Sequence, residues 1–312
     1  MTQRITEVAV AIFIKADGSF LLSSRPQGKP YSGYWEFPGG KIEPGESVLQ
    51  AMQRELMEEL NVAITNATPW FTFMMVYTHA TVRLHCWRVR GWQGEMQAME
   101  GQQFAWQRLG GITVAPTLPG CAPILKALAL PDIYAITNAA EIGADGCLQR
   151  LEHALENGLR LIQIREKQMP TDARGRFAKQ VVTRAHAFGA KVLLNSDIEM
   201  ARAIGADGVH LTSVGLSHCT NRPDFELVAA STHARADIER AAALKLDFVV
   251  LGPVKVTLSH PGAMPLGWGR FAKLVESTPL PVYALGGMLF ADLVDAMTHG
   301  AHGVAVQRGL QG

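Results

Sequence analysis

Eight short apolar runs recur in the second half of the chain, and helical stretches separate most of them. The runs are 133–137, 159–165, 191–195, 208–211, 227–231, 248–252, 281–286 and 303–306. The helical stretches are 148–157, 172–188, 197–204, 236–244, 268–276 and 291–299. Eight strand–helix units in about 180 residues predict a compact (β/α)₈ (TIM) barrel, in which the fourth and eighth helices are weak or absent.

The first half follows a different pattern. Short β-rich runs at 8–15, 20–24, 70–77 and 81–90 surround one strong amphipathic helix at 47–60. This pattern indicates an α/β unit with mixed strands. A second helix at about 122–130 closes it, and Leu130-Pro131-Asp132 then interrupts the periodicity. We therefore expect two domains, residues 1–130 and 131–312.

Length, charge and cysteine content limit the class of protein. The 312 residues are 48% apolar and 18% charged, as in globular proteins. A net charge of +1 gives no basic excess for a nucleic-acid polymer. The cysteines form no CxxC pair, which favours a reducing cytoplasm over disulfides or a zinc ribbon. The apolar run 8–14 is too short to span a bilayer, so we expect no export signal, anchor or membrane contact.

The first helix carries a cluster of glutamates. Glu55, Glu58 and Glu59 fall within about 100° of one another, along one edge of its apolar stripe. Together with Glu46 they face a single arginine, Arg54, and two of them lie in the last turn, where the helix dipole disfavours anions. A solvated acidic face is the alternative. A bound Mg²⁺ or Mn²⁺ would remove both penalties and suits an all-oxygen ligand set.

The spacing around this helix matches a specific motif. Gly40, Glu46 and the segment 54–62 follow Gly-x5-Glu-x7-Arg-Glu-(apolar)-x-Glu-Glu-x-Gly-(apolar), with Asn61 in place of the last glycine. Asn tolerates the left-handed backbone that ends a helix. The chain therefore resembles the Nudix hydrolases over about residues 5–130. The segment 35–43 resembles the MutT-type branch, whose members cleave nucleoside triphosphates such as 8-oxo-dGTP to the monophosphate and pyrophosphate.

The Nudix resemblance implies an α/β/α sandwich with a mixed sheet, and a Mg²⁺-assisted attack of water on phosphorus. The implied metal ligands are the carbonyl of Gly39 and the side chains of Glu55, Glu58 and Glu59, with Arg54 as the residue that orients the glutamates. Glu100 matches a further acid that completes the metal site or acts as base; a surface glutamate is the alternative. Arg25 matches a basic residue near the substrate, and Phe37 is a candidate to stack on a base. A solvated arginine and a core phenylalanine are the alternatives.

The base-recognition residues depart from the MutT pattern. MutT-like enzymes read oxidised guanine with an Asn in a Pro-x-Asn-x-Pro context, and Cys121 stands at that place in the segment 119–123. A thiol is a poor substitute for an amide that both donates and accepts hydrogen bonds. The arginine that some members carry after the third strand has no match in 77–81. Pyrophosphate release is therefore better supported than strict 8-oxo-guanine selectivity.

Short segments at the strand ends of the second half follow an order typical of another family. They are 163–167, 205–211, 231–233, 252–253, 285–287 and 300–306, together with Asn195. This order resembles thiamine phosphate synthase and the related thiazole tautomerase over about residues 132–309. The turns after the last two strands form the usual phosphate site of a barrel, so Gly286, Gly287 and Arg308 can hold a phosphate. The resemblance implies that Arg165, Lys167 and Asn195 grip a pyrophosphate; ion pairs at the barrel mouth are the alternative for these three.

Both acidic Mg²⁺ ligands of the synthase are replaced in this chain. Its Asn-Asp pair reads Asn195-Ser196, and its second Asp falls on Gly215. The loop that should read Pro-Thr-x-Thr-Lys ends in His260 instead of Lys. Three roles remain open: a synthase with a rebuilt metal site, a metal-free isomerase with His233 or His260 as acid or base, and a phosphate-ligand module. We favour a role other than synthase.

The expected protein is a Mg²⁺-dependent nucleoside triphosphate pyrophosphohydrolase of the 8-oxo-dGTP diphosphatase type. It would protect DNA from mutagenic nucleotides, a DNA-repair role of the mutator class, and it carries a degenerate barrel that takes a phosphorylated small molecule. A bifunctional thiamine-pathway enzyme is the alternative, and a barrel that serves as sensor or scaffold is a third reading. The sequence leaves the nucleotide and the oligomeric state open.

Overall fold

The computed structural model describes residues 5–78, 80–257, 262 and 264–308. The chain folds into two compact units, Met1–Ala129 and Leu130–Gly312. Within the described ranges, every helix is too short or too polar to cross a membrane.

The first unit is built on two small sheets and two helices. Its elements are β1 (Ile5–Phe13), β2 (Phe20–Ser24), β3 (Trp35–Glu36), β4 (Gly39–Lys41), α1 (Val48–Leu60), β5 (Ala63–Val76), β6 (Thr81–Gln93), β7 (Phe104–Gln107) and α2 (Cys121–Leu128). One sheet has the order β4-β1-β6-β5 and the other β3-β2-β7. Strand β1 runs parallel to β6 and antiparallel to β4, so the predicted mixed sheet is confirmed. The sequence patterns missed β3, β4 and β7, which have only two to four residues.

Helices α1 and α2 cover opposite faces of the larger sheet. The side chains of β1, which alternate between the two faces, show this. Ala9 and Ala11 pack in the cluster that contains α1, whereas Val10 and Ile12 pack in the cluster that contains α2. Helix α1 begins at a capping box in which Ser47 accepts from the backbone of Gln50. It ends at Asn61, whose φ of 55° and ψ of 40° are left-handed, as the motif requires. The sequence thus sets both ends of α1.

The second unit is a closed barrel of eight parallel strands, as predicted. The strands are β8 (Ile133–Ile136), β9 (Leu161–Ile164), β10 (Lys191–Asn195), β11 (Gly208–Leu211), β12 (Leu227–Thr232), β13 (Phe248–Leu251), β14 (Val282–Leu285) and β15 (Gly303–Val306). The helices are α3 (Ala139–Ile142), α4 (Ala144–Glu156), α5 (Thr171–Ala187), α6 (Ile198–Ile204), α7 (Ser213–His218), α8 (Arg235–Ala243), α9 (Gly267–Val275) and α10 (Leu293–Thr298). The fourth crossover helix, α7, has only six residues. The extra short helix α3 was not predicted.

Aromatic rings fill the barrel interior near the amino ends of the strands. Tyr134 contacts Phe248 edge to face at 5.2 Å between ring centroids, and Phe248 contacts Tyr283 at 5.1 Å. All three side chains are fully buried. The carboxyl ends of the strands, where barrels carry their chemistry, remain open.

Candidate functional site

Arg54 of α1 organises the glutamate cluster. Its Nε and Nη2 donate to the two carboxylate oxygens of Glu46 at 2.8 and 2.9 Å. Its Nη1 lies 2.9 Å from Glu55 Oε1 and 3.5 Å from Glu58 Oε2, and its Nη2 also donates to the carbonyl of Lys41 at 3.0 Å. The hydrogen bonds from Arg54 lower the pKa of Glu46 to about 2. One guanidinium therefore holds three glutamates and ties α1 to the loop after β4.

The glycines of β4 allow a close approach to this cluster. A Cβ atom added to Gly40 would overlap the carboxyl group of Glu55. Gly39 has a φ of +139°, and a Cβ atom there would overlap the carbonyl of Ala9 on β1. The backbone of β4 therefore passes directly beside the Glu55 carboxylate, a packing that only glycine permits.

A loop near the carboxyl end of α1 brings a further acid to the cluster. Gln102 Nε2 donates to the carbonyl of Glu59 at 2.6 Å, and Glu100 pairs with Lys29 at 2.7 Å. Burial raises the pKa of Glu59 to about 7; the charge of Lys29 opposes this shift, while Glu55 and Glu100 add to it. The carboxylates are thus close enough to repel one another, since burial partly shields them from water.

The donor set fits a hard divalent cation. The candidate ligands supply only oxygen atoms, and the repulsion around Glu59 is the kind that a cation relieves. In the described part of the chain, no three His, Cys, Asp or Glu side chains converge on one point as they stand. Arg54 holds Glu55, and Lys29 holds Glu100, so metal binding requires these side chains to turn.

Two charged residues near the cluster were missed from the sequence. Lys29 lies in the turn after β2 and pairs with Glu100 across 71 positions of chain. Glu36 pairs with the predicted Arg25 at 2.5 Å, and burial raises the pKa of Glu36 while Arg25 opposes the shift. Arg25 also donates to the carbonyl of Pro30 at 2.7 Å, so it is not the freely solvated arginine of the alternative interpretation. Their positions depend on pairing between β2 and β3, and β3 was not predicted.

A small pocket lies between β3, β4 and α2. Phe37 lines it but is only 4% exposed and packs on Phe20 at 5.8 Å, so it belongs to the core as well. Cys121 also lines it, and its Sγ lies 3.6 Å from the carbonyl of Trp35. The two residues assigned to base recognition are therefore adjacent to one pocket, together with Glu36 and Tyr77.

The thiol of Cys121 is expected to be unreactive in the folded protein. Burial raises its pKa to about 12 and that of Cys147 to about 11, and Cys86 is also buried. Because the thiolate is the reactive form, iodoacetamide should label only the half-buried Cys219 before unfolding and all four cysteines after it. Peptide mass spectrometry reads the sites directly. Fast labelling of Cys121 in the native state would contradict this burial.

The contact between Gly40 and Glu55 predicts that Gly40→Ala impairs the site without unfolding the protein. The added methyl group must displace the Glu55 carboxylate, and a displacement of about 1 Å in an active site costs about 10²-fold in rate. Gly111→Ala is the matched control, since a Cβ atom there meets open space. Rates of pyrophosphate release and melting temperatures of both variants test this. Equal rates for the two variants would show that the Glu55 position is not critical.

The barrel opens at the carboxyl ends of its strands into a cavity of about 570 Å³. It brings together most of the predicted barrel residues: Arg165, Lys167, Asn195, His233, Gly286, Gly287 and Arg308. His260 lies outside the described residues. Ser196 and Gly215, at the positions of the lost acids, do not line this cavity among the residues that the structure places.

Glu166, which follows strand β9, has a structural role. It is 3% exposed, and its carboxylate accepts from the backbone nitrogens of Ala139 and Ala140 at 2.8 and 3.1 Å. These are the first N–H groups of α3, where an anion is stabilised. Glu166 therefore holds α3 in place, which the sequence did not reveal because α3 itself was not predicted.

His233 lines the cavity, and a hydrogen bond fixes its ring. Its Nδ1 lies 2.8 Å from the carbonyl oxygen of Gly252, which can only accept, so Nδ1 carries the hydrogen. In the neutral ring, Nε2 then keeps its lone pair. The backbone nitrogen of His233 donates to Asp237 at 2.8 Å, which fixes the residue at the start of α8.

A buried polar chain runs beneath the cavity and was missed from the sequence. Gln163 donates to the hydroxyl of Tyr134 at 3.1 Å, and this hydroxyl lies 3.2 Å from Nδ1 of His210. Nε2 of His210 lies 3.0 Å from the hydroxyl of Ser231. Burial, with a smaller effect from Arg165, lowers the pKa of His210 to about 3, so the ring is neutral. These hydrogen bonds fix Gln163 and Ser231, which both line the cavity.

Known proteins resemble each unit separately. Residues 133–310 match the family described as thiamine monophosphate synthase, and residues 5–120 match the NUDIX domain. The thiamine-phosphate synthase of Gloeobacter violaceus is 35% identical over 168 residues, which are 52% of this chain and 49% of that protein. The CTP pyrophosphohydrolase of Escherichia coli is 37% identical over 124 residues, which are 40% of this chain and 91% of that protein.

A solved structure resembles the barrel unit. The thiamine phosphate pyrophosphorylase of Pyrococcus furiosus aligns with a TM-score of 0.48 and 25% identity, over 56% of this chain and 85% of that one. The family match to the barrel covers more than half of the 312 residues. The chain therefore belongs to the thiamine monophosphate synthase family and carries a NUDIX domain in its first unit.

Proposed function

We propose that this protein is a Mg²⁺-dependent pyrophosphohydrolase of nucleoside triphosphates, with residues 1–130 as the catalytic domain and 131–312 as a ligand-binding domain. The arrangement around Arg54 carries the proposal. One arginine aligns Glu55 and Glu58 beside the glycine strand β4, while Glu59 and Glu100 face the same region. Mn²⁺ suits the same oxygen ligands.

The residues of the chain then have distinct tasks. Glu55, Glu58 and Glu59 would hold the cation with the carbonyl of Gly39, and the cation supplies polarisation of the phosphoryl oxygens and charge neutralisation for the leaving pyrophosphate. Arg54 keeps the glutamates in position. Glu100, which pairs with Lys29 at 2.7 Å, would turn from that pair to take the proton from the attacking water or to complete the ligand set.

The nucleotide is chosen at the pocket that Phe37 and Cys121 line. We propose that oxidised guanine nucleotides, and other nucleotides whose incorporation would be mutagenic, are among the substrates, so that hydrolysis protects DNA. The similarity to a CTP pyrophosphohydrolase supports pyrimidine triphosphates as a second substrate group. A buried neutral thiol at position 121 favours breadth over strict selectivity for 8-oxo-guanine.

A substrate panel tests this function. The full-length protein is incubated with Mg²⁺ and 8-oxo-dGTP, dGTP, CTP, ADP-ribose or hydroxymethylpyrimidine diphosphate, and pyrophosphate, phosphate and monophosphate are measured. We expect monophosphate and pyrophosphate from the triphosphates, and loss of both in Glu55→Gln. Coincident rates for wild type and variant on every compound would refute the hydrolase function. Cleavage of the pyrimidine diphosphate alone would favour a thiamine-pathway hydrolase.

The barrel supports a second proposal, that it binds a phosphorylated small molecule without acting as a synthase. Serine and glycine at the two acid positions of the family support this role. We expect no thiamine phosphate from hydroxymethylpyrimidine diphosphate and thiazole phosphate in the presence of Mg²⁺. Product that disappears in Arg165→Gln would instead establish a bifunctional enzyme. Isomerisation of a thiazole phosphate that requires His233 would identify a tautomerase.

A further inference from the structure

The charges that line the barrel cavity are all of one sign. Arg165, Lys167 and Arg308 line it, and none of the described lining residues is Asp or Glu. The segments of this unit that the structure does not describe, 258–261, 263 and 309–312, contain no Asp or Glu in the sequence. No acidic side chain from these segments is therefore available to complete a metal site.

Five carboxylates that adjoin lining residues in sequence or by contact already have partners. Asp197, two positions after the lining Asn195, pairs with Arg174 at 3.1 Å and caps α6. Glu166 caps α3, and Asp237 accepts from the backbone of His233. Asp292 pairs with Lys255 at 2.6 Å, and Glu141 accepts from Nε of Arg308 at 2.8 Å. Because Mg²⁺ is held in proteins chiefly by carboxylates, this donor set does not fit the metal that the family implies.

The same arrangement fits an anion. Burial lowers the pKa values of Arg165 and Lys167, and the charge of Arg165 lowers that of Lys167 further. A bound phosphate would relieve this repulsion between two partly buried cations. Gly286 and Gly287, which also line the cavity, have φ values of +96° and +69° and form a turn whose backbone adjoins it.

The rest of the cavity suits a small organic group. Apolar side chains of the strands and of the loop after β14 line it: Ile136, Val250, Leu285, Met288 and Ala305. Gln163 and Ser231, which the polar chain beneath holds in place, supply two hydrogen-bonding groups. Few fixed polar groups in a mostly apolar cavity are typical of a small-molecule site.

We propose that the barrel cavity binds a phosphorylated organic molecule directly through Arg165, Lys167 and the Gly286-Gly287 turn, without a divalent cation, and that Mg²⁺ weakens this binding. The cation competes for the phosphate oxygens, and the protein offers it no carboxylate. This inference rests on the proposed role of the barrel as a phosphate-ligand domain. Arg308 joins the site only when it leaves Glu141, so Glu141 opposes binding.

Calorimetric titration of the full-length protein tests the inference. The probes are phenyl phosphate, which has no anhydride bond to hydrolyse, and inorganic pyrophosphate, each in excess EDTA and in excess Mg²⁺. In EDTA we expect binding that Arg165→Gln and Lys167→Gln each weaken at least about tenfold. Lys273→Gln, the same change at an exposed residue outside the cavity, should alter affinity less than about twofold. Glu141→Gln should tighten binding about threefold.

The outcomes separate this inference from the proposal on which it rests. Weaker pyrophosphate binding in Mg²⁺ than in EDTA supports the inference, provided that the difference disappears in Arg165→Gln. Binding that requires Mg²⁺ overturns the inference but leaves the barrel a phosphate-ligand domain. Binding in neither condition, or binding that Arg165→Gln and Lys167→Gln leave unchanged, overturns both. Melting temperatures of the variants establish that they are folded.

Discussion

Glu55→Gln is expected to reduce kcat for pyrophosphate release by about 10³-fold, equivalent to about 4 kcal/mol of transition-state stabilisation. The substitution keeps the shape of the side chain but removes its charge, so it weakens the cation site and leaves the packing against Gly40 unchanged. Helix α1 should remain folded, because its buried residues and its caps do not involve Glu55. Steady-state kinetics at saturating Mg²⁺ measure the loss.

Glu95→Gln provides the matched control for this loss. Glu95 is exposed in the turn after β6, and the same change of charge there should leave kcat within about twofold. A general electrostatic effect would lower KM in both variants and leave kcat unchanged, because each variant loses a negative charge that repels the anionic substrate. If Glu55→Gln kept wild-type kcat, the metal-binding role of α1 would be refuted.

Arg54→Lys is expected to lower kcat by about 10²-fold with little change in KM. A lysine ammonium cannot reproduce the planar fork that contacts Glu46 through two nitrogens and reaches Glu55 and Glu58 at the same time. The glutamates then lose their common orientation, and misplacement by about 1 Å costs this much in rate. Because Arg54 acts through the glutamates, the loss should appear in kcat and in the concentration of Mg²⁺ needed for half-maximal rate.

Arg108→Lys is the control for Arg54→Lys. Arg108 pairs with Asp17 on the surface of the same unit, so it undergoes the same exchange at an exposed ion pair. Solvent-exposed pairs of this kind contribute little to stability, so the rate should be unchanged. A large rise in KM with unchanged kcat for Arg54→Lys would instead assign Arg54 to substrate binding.

The features that the sequence predicts correctly are local ones. Helix α1 and its caps lie within fifteen consecutive residues, Ser47 to Asn61, and the regular spacing of apolar strands leads directly to the barrel. The site contacts that were missed join distant segments. Lys29 meets Glu100 across 71 positions, and Arg308 meets Glu141 across 167. Such pairs depend on the completed fold, and no periodicity encodes them.

Short elements explain the remaining differences between the predicted and the observed structure. Strands β3 and β4 have two and three residues, too few for an alternating pattern. They nevertheless place Glu36 and Gly40 beside the glutamate cluster of α1. Helix α3 has four residues, too few for a periodic pattern, and without it the sequence gives no sign that Glu166 caps a helix. The sequence also gives no sign that Glu59 is buried, and it is this burial that raises the pKa of its carboxyl group.

The aromatic rings at the amino ends of the barrel strands determine how molecules reach the cavity. Tyr134, Phe248 and Tyr283 are fully buried and contact one another, so they close that end of the barrel. Entry and exit therefore share one mouth. Two molecules held there together would leave in the reverse of the order in which they arrived, and a slowly dissociating outer molecule would trap the inner one.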